Sequence, residues 1–215
     1  MSLPSADEYV SVIGTSFLYP LSTLLESLES SRARGPSEVQ ASPLENGYSA
    51  AVIVLTVLMV ESAIARTQFI QGTNPPKRPI AFIRASRPLS NLADVVEELF
   101  VVRDVVAHNH IWDARIAYAP DGSMKLVSAT RDPAYGDAKF ARVIDPSSRK
   151  TKKLGINLFP TRIGREDAII VLKNAKDFLL LLEAQDRRYF YLSPQPVEFK
   201  GVAVRFVDLV DGLQR

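Results

Sequence analysis

The sequence predicts a mainly α protein: a bundle of four to five helices with a small β-hairpin and a C-terminal β appendage. Three observations predict this architecture. Four segments repeat apolar residues at three- or four-residue spacing, the helix period. A Pro120-Asp121-Gly122-Ser123 turn separates two short strand-like runs. The composition, 47% apolar and 23% charged over 215 residues, is that of a globular chain able to bury a core without staples. The reading is one domain over 1–215. Its bundle lies at 6–112 and 165–185, and its β or irregular appendage at 113–163 and 186–215.

The first helix runs from about Ala6 to Ser30, with Tyr9, Val12, Ile13, Phe17, Leu21, Leu24, Leu25 and Leu28 on its apolar positions and Pro20 expected to kink it. A polar loop, Arg32 to Asn46, follows. The second helix, Gly47 to Ile70, is apolar nearly all round in its first half, as a central helix is. Gly72 and the prolines at 75, 76, 79 and 88 make a stiff connection in which 80–83 is either a short strand or a helical turn. The third helix starts near Ser90 or Asn91, both N-cap types, and ends around His110. Asp94, Glu97 and Glu98 suit its positive end. The hairpin takes Trp112 to Ala119 and Met124 to Ala129. The stretch 131–161 reads as irregular. The fourth helix spans about Arg165 to Gln185, and two strand-like pieces, Tyr189–Leu192 and Val202–Val207, end the chain.

A net charge of +2 is too small to demand a polyanion partner, so any nucleic-acid site must come from local clustering. The absence of cysteine excludes disulfides and thiolate metal sites and fits a cytoplasmic protein. No basic residue precedes Arg32, so no signal peptide is expected. The longest apolar run, Ala50–Val60, is short for a membrane span and is read as a core helix, with no membrane partner.

The chemistry concentrates in Glu97–Trp112, which holds both histidines, His108 and His110, and the only tryptophan. Arg103 falls among the apolar positions of the third helix. A guanidinium stays charged, so it needs an anion there. Glu61, set in the most apolar helix, has the opposite need, and a Glu61–Arg103 pair would satisfy both. An external phosphate is the other source. Asp104 and His108, four residues apart, share a helix face, where the carboxylate could orient the imidazole. Arg103 and His108 differ by about 140° around the axis and about 7.5 Å along it. One straight helix does not aim both at one small group. The long Arg103 side chain, a frayed helix end or a second copy of the helix could make them converge, so the spacing favours a composite site such as one across a dimer. The helix is also apolar on a second side, through Phe100, Val101, Val105 and Ile111, as a homodimer or a central helix requires.

Here the sequence resembles the HEPN superfamily, whose signature is Arg, a polar residue, three or more further residues, then His, near the end of a long helix. In this chain that reads Arg103-Asp104-Val105-Val106-Ala107-His108, approached by LADVVEELFVV. The resemblance covers roughly residues 45–112. It implies a metal-independent endoribonuclease without a cofactor, with sites formed by two protomers and with toxin or phage-defence members controlled by an antitoxin protein. His108 would then be a general acid or base. Arg103 would steady the phosphorane charge, and Asp104 would orient one of them. The products would be a 2′,3′-cyclic phosphate and a 5′-hydroxyl. Where some toxin members carry a tyrosine two positions after the histidine, this chain has His110. Many members are noncatalytic modules that bind nucleotide, RNA or protein, which is the alternative reading.

Glu61, Asn109 and His110 are supporting residues on this view. Their plain alternatives are an ion pair, a helix-terminal residue tolerant of left-handed backbone, and a packed or capping side chain. Histidines at i and i+2 point apart on a helix, so no metal site is expected. The basic run Arg149, Lys150, Lys152 and Lys153 is the candidate RNA-phosphate surface, against a solvated loop. Tyr189, Phe190 and Tyr191 could stack on bases, against strand packing as the default reading, and Trp112 is read as core or dimer packing.

Overall fold

The computed structural model describes residues 13–31, 39–108, 112–131 and 138–214. Helix α2 (Pro43–Ile70) is the axis of the body. Ser42 caps it, accepting from Glu45 N at 3.2 Å, and Pro43 stands at its first turn, where no N–H partner is lost. Its apolar positions bury Val52, Ile53, Val57, Met59, Val60 and Ile64 completely against α1 (Leu18–Ser30), α3 (Pro79–Ala85), α4 (Ala93–Ala107) and α6 (Arg165–Gln185). The helix is therefore apolar all round because it is packed on several sides. The run at 50–60 is short for a span, but the 28-residue helix around it is long and apolar enough to cross a membrane by length and composition.

Pro20 does not kink α1. A 3₁₀ turn at Gly14–Phe17 leads in, and Pro20 sits in the first α-helical turn, where N–H groups have no intrahelical acceptor. The part of the first helix expected before Ile13 lies outside the described residues. The undecided 80–83 stretch belongs to α3, which Pro79 opens. Ser90 and Asn91 do not cap α4. They form a 3₁₀ turn, Ser90–Leu92, that runs straight into it, and α4 ends at Ala107 with His108 as its C-cap. The bounds of α6 agree with the sequence reading.

Among the described residues the β structure is three separate two-stranded antiparallel pairs. The first, β1 (Trp112–Tyr118) with β2 (Met124–Arg131), turns at Gly122 (φ +79°) and has a bulge after Arg115. The 131–161 stretch, expected to be irregular, contains α5 (Ala138–Val143) and a tight pair, β3 (Ile144–Asp145) with β4 (Lys150–Thr151). Tyr189–Leu192 is not a strand. The C-terminal pair is β5 (Pro196–Phe199) with β6 (Val202–Arg205), and the chain then closes in α7 (Phe206–Gly212) on α6.

The segments assigned to an appendage are partly interior. Phe140, Val143, Ile156, Leu158, Phe190, Leu192, Val197, Phe206 and Val210 all join the same buried cluster as the helices. Trp112 packs edge-on against Phe140 and Phe159, with ring centroids 6.3 and 5.7 Å away. Buried carboxylates tie the loops down. Glu98 accepts from Lys153 N (2.8 Å) and Leu154 N (2.9 Å), and Glu183 from Leu192 N and Ser193 N. Asp167 accepts from Asn157 N and Gly164 N. Each gives orphan backbone donors an acceptor in place of water.

Candidate functional site

The candidate site stands on the second half of α4. Arg103 turns toward α2 and meets Glu61 at two points: Nη2 donates to Oε1 at 2.7 Å and Nη1 to Oε2 at 3.3 Å. Its Nε lies 2.9 Å from Asp104 Oδ1, a charge contact whose N–H is not aligned for a hydrogen bond. The guanidinium is not sealed off: its side chain keeps 20% of its exposure, and Glu61 and Asp104 keep 31% and 23%. Locally two carboxylates face one guanidinium.

His108 is exposed at the C-terminal end of α4. Its backbone N–H bonds Asp104 O at 2.9 Å, while its imidazole has no partner among the described residues. The sequence reading allowed Asp104 to orient His108. The structure turns Asp104 to Arg103 instead, because a guanidinium one residue away offers a full opposite charge. Asn109 and His110 lie outside the described residues.

Glu97 and Glu98, the acidic residues expected to suit the positive end of the helix, do more than face its dipole. Both are buried, at 5% and 3% exposure. Glu97 is held by Arg84 Nη2 (2.7 Å) and Arg142 Nη2 (2.6 Å), and Glu98 by the 153–154 backbone. A buried carboxylate is tolerated when it is paired and hydrogen-bonded.

The basic run does not gather around Arg103. Lys153 Nζ pairs with Asp94 Oδ2 at 2.9 Å, at the start of α4, and its hydrogen bond and charge hold the Asp94 carboxyl below its ordinary range. Lys152 Nζ donates to Arg142 O at 2.7 Å. Arg149 and Lys150 are half-buried, and Lys150 faces Asp167 electrostatically. From Asp94 to His108 is about 21 Å of helix axis. The tight β3–β4 turn and the intervening length of α4 thus keep these cations and His108 at opposite ends.

Sequence reasoning missed a neighbouring groove. A cavity of about 740 Å³ opens between the last turns of α2 and the 72–79 connection, with Glu61, Ala65, Phe69, Pro76, Lys77 and Pro79 among its walls. Gln68 builds its wall by bonding both polar groups of the Lys77 backbone: Lys77 N donates to Gln68 Oε1 (2.7 Å), and Gln68 Nε2 donates to Lys77 O (3.1 Å). The available signal was Phe69, an aromatic at a helix end on the side away from the core. Among the described residues no group of three or more His, Cys, Asp or Glu is placed to hold a metal ion.

One arrangement on α4 can therefore supply a surface cation and a separate, solvent-facing imidazole, but within one chain it does not bring them onto one atom. No family model, curated protein or solved structure matches this chain.

Proposed function

We propose that the chain is a HEPN-like, metal-independent endoribonuclease that acts as a homodimer, as a cytoplasmic toxin or phage-defence effector held in check by an antitoxin protein. The observation that carries this reading is the pair of groups on α4: Arg103, partly open to solvent, and His108, exposed and unpartnered among the described residues. Their divergence on one helix is what a second copy would resolve. In that site a neutral His108 takes the proton from an RNA 2′-OH as its oxygen attacks the adjacent phosphorus. The 5′-oxygen leaves and receives a proton from the imidazolium of the second copy. Arg103 offsets the charge on the phosphorane oxygens, and Asp104 beside Nε holds the guanidinium plane. The products are a 2′,3′-cyclic phosphate and a 5′-hydroxyl.

One observation favours a noncatalytic HEPN-like module as the second reading. Glu61 and Asp104 together outweigh the Arg103 charge, which discourages a phosphate until one carboxylate moves. RNA incubated with wild type, Arg103→Ala and His108→Ala in the presence of EDTA separates the two. The ribonuclease reading expects cleavage by wild type alone. Equal cutting by all three proteins, or a strict metal requirement, refutes it.

A further inference from the structure

The groove beside Glu61 has the features of a nucleobase site. We infer that it binds a base of single-stranded RNA stacked on Phe69, with the neighbouring phosphate on Lys77, and so feeds the chain toward Arg103. The inference rests on the ribonuclease reading only in choosing a ribonucleotide strand as the occupant.

Four observations carry it. Phe69 is 67% exposed although it is a large aromatic on the most apolar helix, and it forms a wall of the cavity. Every base presents a π-face, so an open aromatic ring is a sequence-tolerant platform. Lys77 lines the same cavity, and it and the adjoining Arg78 are exposed and have no ion-pair partner among the described residues. The acidic lining residue, Glu61, is engaged by Arg103, so it does not compete for Lys77, the cation among the groove's lining residues. The cavity, about 740 Å³, is of the size that small organic ligands occupy.

Continuity with the α4 site is the fourth observation. Glu61 is both a wall of the groove and the partner of Arg103. Phe69 lies two turns further along α2, about 12 Å. A strand whose base rests on Phe69 therefore lies within reach of Arg103 through their common neighbour Glu61.

The test is fluorescence anisotropy of a short fluorescein-labelled single-stranded oligoribonucleotide, with wild type, Phe69→Ala, Phe69→Trp, Lys77→Glu and His108→Ala. Phe69 is exposed, so its replacement leaves the fold intact, which the melting curve verifies. The expected results are binding about tenfold weaker for Phe69→Ala and retained by Phe69→Trp, with His108→Ala supplying the background in which bound RNA is not cut. With unlabelled RNA, the indole introduced by Phe69→Trp should be quenched beyond any change that wild type shows. Lys77→Glu should weaken binding more at low salt than at high salt. Phe69→Ala binding as tightly as wild type, or duplex RNA competing as well as the single strand, overturns the inference. So does a folded wild type that binds no RNA, or one that takes up only a protein partner through this groove. A Phe69-dependent complex that is never cut keeps the groove and removes the ribonuclease reading. Cutting that ignores Phe69 does the reverse.

Discussion

Arg103 joins α4 to α2 by donating to both oxygens of Glu61, at 2.7 and 3.3 Å, in a seam that remains partly open to water. A pair at this depth lies between two limits. Fully exposed pairs contribute about 0–1 kcal/mol, while removing one partner of a buried pair costs about 3–5 kcal/mol. Arg103→Ala should therefore cost roughly 1–2 kcal/mol in urea unfolding, by interpolation between those limits. The double variant Glu61→Gln/Arg103→Met should recover part of that loss. Additive single effects would show that the two side chains do not couple.

Glu98 has a different task. Its two oxygens receive the N–H groups of Lys153 and Leu154, so Glu98→Ala leaves two part-buried donors without their acceptor. The expected loss is about 2–4 kcal/mol, taking about 1–2 kcal/mol for each orphaned group. Glu98→Gln should lose less, since its amide oxygen still accepts one of them. Hydrogen exchange at 153 and 154 is the local readout, and unchanged protection in Glu98→Ala would contradict this role.

Asp167 gives a pH dependence of defined sign. Burial raises its carboxyl above the ordinary 3.8, outweighing the bonds from Asn157 and Gly164 that favour the charged form. The folded state therefore holds the proton more tightly than the unfolded chain. The contribution is complete below 3.8 and is lost as pH rises through the raised folded value. Asp94, held low mainly by Lys153, changes in the opposite direction, so the effect is read as a difference. Relative to Asp167→Asn, wild type should lose stability as pH is taken from below 3.8 toward neutral. A constant difference across that range would refute the assignment.

Gly14 packs where a side chain does not fit. An added Cβ would stand 2.8 Å from Phe190 Cε2 and 3.3 Å from Ser62 Oγ. Phe190 is itself buried at 1% exposure, so it has little room to yield. Gly14→Ala should destabilise by about 1–3 kcal/mol through overpacking, measured by thermal melting. A melting point at or above wild type would show that the turn repacks freely.

The helices were legible because their signals are local. The α6 period fixed both of its ends, and the density of apolar residues marked α2 as central. The Glu61–Arg103 pair was legible too, since two opposite charges on apolar helices need each other wherever the chain folds. What escaped depended on residues far apart in sequence. Glu97 and Glu98 read only as charges suited to the helix start, because Arg84, Arg142 and the 153–154 backbone that close over them come from elsewhere in the chain. Asp104 had two local partners of equal reach, and the fixed charge of Arg103 took it from His108. The basic run read as one surface, yet Lys152 and Lys153 are drawn to Arg142 O and Asp94. The last helix, α7, was hidden because Val202–Val207 suits a strand until Phe206 turns into the core.

The most direct measurement is the chemistry of the ends left on RNA by purified protein in EDTA, with Arg103→Lys and His108→Ala as folded controls. Fragments from wild type should end in 2′,3′-cyclic phosphate and begin with 5′-hydroxyl, with His108→Ala producing none and Arg103→Lys far fewer. Intact RNA after prolonged incubation with folded wild type, or the same fragments from His108→Ala, would contradict a site built on α4.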